Sequence, residues 1–141
     1  VLFTSTHCLR IDKIMTELKP TILISECISE VRTELINILN PSFNILIADT
    51  EEDIFGQINL NPELSIIIMN PVQENLNGFD LVKKFKSFPQ LKHISFIFVI
   101  SKDDDVSQIK GLELGVIDFI TLPLKEKIVP TFVKSIIKKL I

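Results

Sequence analysis

The chain predicts an α/β domain in which a parallel sheet is covered by helices on both faces, and three observations carry that prediction. Five short apolar runs rich in Ile, Val and Phe recur along the sequence. Segments of helical period separate them, and strands that are apolar throughout suit burial on two sides. The length of 141 residues with 46% hydrophobic content matches one domain with a sizeable core, since domains commonly run to ~100–150 residues.

The strands are placed at 21–25, 43–48, 64–69, 94–100 and 116–121. Between the first two, residues 28–39 carry Ile28, Val31, Leu35, Ile36, Ile38 and Leu39 as one broad helical stripe. Asn40-Pro41 ends it, because proline restricts the residue before it and cannot continue the helix. Thr50 followed by Glu51, Glu52 and Asp53 reads as an N-cap with acids in the first turn, opening a short helix to about residue 58. A third helix spans 79–85. A fourth, over 104–114, is expected to turn Val106, Ile109, Leu112 and Leu114 inward, to start beneath three aspartates and to stop at Gly115. The last covers roughly 126–140. Pro130 forbids an earlier start without a kink, since only the first few amides of a helix lack an internal partner.

Residues 20–141 thus make the domain, and residues 1–19 an N-terminal extension or linker. Within the extension, residues 11–18 suit either a turn or two of helix or a disordered tail. A start at Val1 instead of Met suggests a piece of something longer.

Composition excludes several classes. Net charge is −3 and the basic residues are scattered apart from Lys83-Lys84 and Lys138-Lys139, so direct nucleic-acid binding is not expected. The longest apolar runs fall far short of the ~20 residues of a membrane span, and no signal segment opens the chain. A soluble, cytoplasmic domain follows as the expectation. Cys8 and Cys27 make no disulfide framework, and no Cys/His spacing matches a zinc site. The four glycines, at 56, 78, 111 and 115, form no phosphate-binding loop, which counts against nucleotide and flavin. His7 and His93 stand alone. No cofactor or resident metal is expected.

Some words of the sequence carry a resemblance. Asn77-Gly78-Phe79, Gly111-Leu112-Glu113-Leu114-Gly115 and the run Gly115 to Pro123 recur in the order and spacing of the receiver domains of two-component response regulators. The chain resembles that family from about residue 20 to its C-terminus. The resemblance implies a flavodoxin-like (CheY-like) fold: a doubly wound five-stranded parallel sheet of strand order 2-1-3-4-5. Ligands of such sheets meet the carboxyl ends of the strands, where Ser25-Glu26-Cys27, Asn70, Ile100-Ser101 and Thr121-Leu122 are expected to converge.

The family's chemistry needs two adjacent acids after strand 1, an aspartate after strand 3, a hydroxyl after strand 4 and a lysine before proline after strand 5. The acids and aspartate hold Mg²⁺ through oxygen, the aspartate attacks phosphorus, and lysine and hydroxyl steady the phosphoryl oxygens. Here Glu26 and Cys27 take the acid pair, so one acid survives. Asn70, eight residues before Gly78, takes the nucleophile's place, offering Mg²⁺ only a neutral carbonyl and phosphorus only a poor attacker. Ile100 takes the hydroxyl position, with Ser101 one residue late. Leu122 replaces the lysine, and Phe119 occupies the aromatic switch position without a hydroxyl. Deamidation cannot restore an aspartate by its usual route, because Pro71 has no N–H to attack the Asn70 side chain.

The resemblance is therefore to a degenerate receiver, or pseudo-receiver, that is not an enzyme. The expected function is a phosphorylation-independent module for protein–protein interaction and regulation in two-component or phosphorelay signalling. Its docking face would be that of helix 4, strand 5 and helix 5, toward a protein partner, a fused signalling domain or a second copy in a homodimer. The alternatives are an atypical receiver taking a phosphoryl group or a redox signal at Glu26, Ser101 or Cys27, and a purely structural dimerisation domain. Individually, Glu26 is expected as a partly exposed carboxylate bonded to nearby amides or a lysine, Cys27 as a packed thiol, and Lys102-Asp103-Asp104-Asp105 as helix-start chemistry.

Overall fold

A computed structural model describes residues 19–140. The sequence features at 1–18, including His7, Cys8 and the helix-or-tail segment, lie outside the described residues. Five parallel strands form the main sheet: β1 (Thr21–Ser25), β2 (Asn44–Ile47), β3 (Ile66–Met69), β6 (Ser95–Ser101) and β7 (Asp118–Leu122). Their order is β2-β1-β3-β6-β7. Two short strands, β4 (Val72–Gln73) and β5 (Leu76–Asn77), form an antiparallel hairpin outside the sheet. Counted without that hairpin, the order is the expected 2-1-3-4-5 of the flavodoxin-like, CheY-like receiver fold.

Alternation within the central strands explains the layers. Leu23, Ile67, Met69, Phe96, Phe98 and Ile100 point to one face, where α2 (Glu51–Leu60) and α3 (Gly78–Ser87) cover them. Ile22, Ile24, Ile66, Ile68, Ile97 and Val99 point to the other, under α1 (Ser29–Leu39) and α5 (Ile128–Leu140). Residues i and i+2 share a face of a strand, so an unbroken apolar run must bury both. On the α2/α3 face, edge-on and tilted ring contacts run from Phe55 through Phe85, Phe96 and Phe98 to Phe119, with centroid separations of 5.0–6.5 Å.

The helix ends follow the expected chemistry. Thr50 Oγ1 accepts from the Asp53 amide at 3.1 Å, and Asn77 Oδ1 caps α3 by accepting from the Phe79 and Asp80 amides at 2.9 and 3.1 Å. Asp104 caps helix α4 (Asp105–Leu114), its carboxylate accepting from the Ser107 amide at 3.0 Å; the Ser107 hydroxyl first, and this amide second, hold that carboxyl below its ordinary pKa. Gly115 ends α4 at φ 82°, in the left-handed region that glycine enters freely. Helix α5 starts at Ile128, which places Pro130 in the first turn, where its missing N–H costs nothing.

One expectation is overturned. Val106, Ile109 and Leu112, expected inward, are 66%, 57% and 59% exposed, whereas Leu114 packs against the α2/α3 core as expected. The inward positions of α4 are Ser107 and Gly111, four residues apart on one face. The reason is space: a Cβ on Gly111 would lie 2.8 Å from Phe119 Cζ. The rings of Phe98 and Phe119 fill the volume under α4, so only small residues can face them and the large ones turn to solvent. We expect Ile109→Gln to change unfolding free energy by no more than about 0.5 kcal/mol. Ser107→Leu should cost about 1–3 kcal/mol by overpacking. Denaturant titration checks both, and the reverse ranking would refute this orientation.

Among the described residues, no helix is long and apolar enough to cross a membrane.

Candidate functional site

Strands β1 and β3 are hydrogen-bonded neighbours, in register at Ser25 and Met69. The residues that follow each strand, Glu26-Cys27 and Asn70, therefore emerge side by side at the carboxyl edge. The Asn70 carboxamide is fixed at both ends. Its Oδ1 accepts from the Val72 amide at 3.0 Å, which requires oxygen on that side. Its Nδ2 consequently faces Glu26 Oε1 at 3.3 Å and Cys27 Sγ at 3.9 Å.

Glu26 is 1% exposed, which corrects the partly exposed carboxylate expected from sequence. Burial raises its pKa above the ordinary 4.5, while the Asn70 hydrogen bond, the Ile28 amide and the Arg32 charge act in the opposite direction. The cationic neighbour is Arg32, itself 3.6 Å from Asp49, where a lysine was expected. Glu26 Oε2 is buried with no hydrogen-bond partner. Cys27 is exposed and not the packed thiol anticipated, standing in the turn before α1, which begins only at Ser29.

Sequence reasoning missed Gln73. Its Nε2 lies 2.8 Å from Asn70 O, 3.1 Å from Ser25 O and 3.3 Å from Ser25 Oγ, joining the hairpin to the ends of both strands. The nearby sequence carried one usable sign: two carboxamides three residues apart after a strand, with a proline between them. The hairpin closes at Gly78, whose amide bonds to Pro71 O at 2.8 Å. A Cβ there would meet Pro71 Cα at 2.7 Å, so only glycine allows this approach.

The remaining sequence-selected residues stand at the same edge without joining this cluster. Ile100 is buried in the α2/α3 core, and Leu122 packs against the α1/α5 core, so their side chains diverge. Ser101, exposed, pairs in register with Leu122. Phe119 is half-buried beneath α4 against Phe98. His93 is exposed.

The Mg²⁺ that the receiver fold implies does not fit this donor set. Magnesium wants several hard oxygens; here one carboxylate is present, the Asn70 oxygen is committed to the Val72 amide, and the face toward Glu26 is an N–H donor. Among the described residues, no group of three or more His, Cys, Asp or Glu side chains is placed to hold a metal.

No family model matches the chain. It is similar to the response regulator PleD of Caulobacter vibrioides, 30% identical over 71 residues, which are 50% of this chain and 16% of that protein. The chain thus corresponds to a small part of that relative. It is also similar to the chemotaxis protein CheY1 of Helicobacter pylori, 28% identical over 90 residues, covering 60% of this chain and 73% of that one. The signal receiver domain of a signal transduction histidine kinase from Syntrophus aciditrophicus superposes with a TM-score of 0.73 at 24% identity, over 85% of this chain and 91% of that one. The fold is that of a CheY-like receiver, and the relatives include response regulators.

Two measurements follow. Isothermal titration with Mg²⁺ should show no saturable heat, and micromolar binding would refute the misfit. Because the folded-state pKa of Glu26 is raised, its contribution to stability is complete below the unfolded value and declines as pH rises through the folded one. Glu26→Gln should therefore remove part of the stability loss that sets in as pH rises above the ordinary carboxylate value of 4.5, read as the thermal midpoint against pH. An unchanged profile would show that Glu26 ionises in the fold as freely as in water.

Proposed function

We propose that this chain is a phosphorylation-independent, receiver-type module of two-component signal transduction, acting by binding and not by catalysis. The observation that carries this reading is the Asn70 carboxamide at the tip of β3, with its oxygen occupied by Val72 and its nitrogen turned to Glu26. An amide in that place is a poor nucleophile, and Leu122 offers no cation to a phosphoryl group.

The face formed by α4, β7 and α5 supports binding as the retained activity. Val106, Ile109, Leu112 and Ile128 lie exposed on it, beside a groove lined by Phe119, Thr121, Lys125 and Phe132. Exposed apolar surface of this kind marks interaction sites. Asp105 and Asp118 are exposed on these elements, with Lys125 and Lys127 exposed just before α5, so the face offers both signs of charge to a protein partner, a fused signalling domain or a second copy. The receiver domain of the Syntrophus histidine kinase illustrates the fused arrangement.

Incubation with acetyl phosphate followed by intact mass measurement tests the reading. No added phosphoryl mass is expected, and far-ultraviolet and amide spectra should be unchanged by beryllofluoride. A phosphoryl adduct on Glu26, Cys27 or Ser101 would replace this reading with that of an atypical phospho-acceptor.

A further inference from the structure

The corner between β1, β3 and the hairpin gathers oxygens from the ends of two strands. Glu26 Oε1, Ser25 O, Ser25 Oγ and Asn70 O all face inward, and Ser25 is fully buried. Oxygens so clustered repel one another unless a positive group stands among them. In this chain the N–H dipoles of two carboxamides stand among them, beside the Asn70 backbone amide on Ser25 O at 3.0 Å and the Ile28 amide and Arg32 charge acting on Glu26. Asn70 Nδ2 serves Glu26, and Gln73 Nε2 serves both strand ends at 2.8–3.3 Å. Glu26 Oε2 is the oxygen that these nitrogens leave unserved.

We propose that the carboxamides of Asn70 and Gln73 form a metal-independent latch: the Asn70 N–H group binds the Glu26 carboxylate, where a divalent cation would otherwise sit, the Gln73 N–H groups bind the ends of β1 and β3, and together they hold the 70–77 loop closed on β1 at any cation concentration. The proposal deepens the function proposed above by naming how the site is kept in one state. Gln73 is a positioning residue, acting on the loop through its two hydrogens. Asn70 acts through the nitrogen alone, since an aspartate would keep the acceptor for the Val72 amide and replace only the N–H group facing Glu26.

Amide hydrogen exchange across residues 70–77 tests this on the intact chain, in EDTA and in millimolar Mg²⁺. The native protein should show the same protection in both. Gln73→Glu keeps the shape but loses the donors, and loop exchange should rise about tenfold, the factor a lost hydrogen bond of ~1.4 kcal/mol produces. Gln73→Met, which has no donor and adds no charge, should loosen the loop in the same direction. Asn70→Asp should open the loop in EDTA and close it again with Mg²⁺, because two facing carboxylates need a cation between them. Native protection that rises with Mg²⁺, a Gln73→Glu loop as protected as the native one, or an Asn70→Asp loop indifferent to Mg²⁺ would each overturn the latch. A phosphoryl adduct from acetyl phosphate would defeat the function proposed above while leaving these exchange results standing.

Discussion

Burial of β3 on both faces is the constraint from which the architecture follows. Ile66, Ile67, Ile68 and Met69 are completely withdrawn from solvent, and each such side chain contributes about 1.5–3 kcal/mol relative to exposure. A strand apolar on both sides needs a layer above and a layer below, which α2 with α3 and α1 with α5 provide. It also needs hydrogen-bonding strands along both edges, and β1 and β6 supply them. Once β3 is central, the residue after Met69 must emerge at the carboxyl edge next to the residues after Ser25. The identity of that residue then decides what chemistry the edge supports.

Much of this was legible in the chain. Short runs rich in apolar residues marked the five strands of the main sheet to within two residues, most plainly in the central strands, where double-sided burial leaves no other pattern. The cap at Thr50, the helix start among Asp103, Asp104 and Asp105, and the stops at Asn40 and Gly115 were also readable, each being a local matter of side chains or one backbone angle. The orientation of α4 was not. Its apolar spacing at 106, 109 and 112 is that of a buried stripe, and only the bulk of Phe98 and Phe119 beneath Gly111 reverses it. That bulk arrives from strands distant in sequence.

The pocket divides in the same way. Asn70 and its neighbours Glu26 and Cys27 could be placed at the edge by counting along the strands, but not the direction of the carboxamide, which a single backbone amide at Val72 determines. Nor could the burial of Glu26, which sits at a strand end where exposure is usual. The hairpin carrying Gln73 escaped because two-residue strands have no periodicity to detect.

The file of phenylalanine rings on the α2/α3 side has a mechanical consequence. Each ring from Phe55 to Phe119 lies edge-on or tilted against the next, and Phe79 adds a branch at 5.4 Å from Phe98. A close-packed interior passes a displacement on through its contacts, and these rings join α4 to α2 in one continuous file. A Cβ added at Gly111, which would press on Phe119 Cζ at 2.8 Å, therefore acts at one end of a row whose other end is Phe55 on α2.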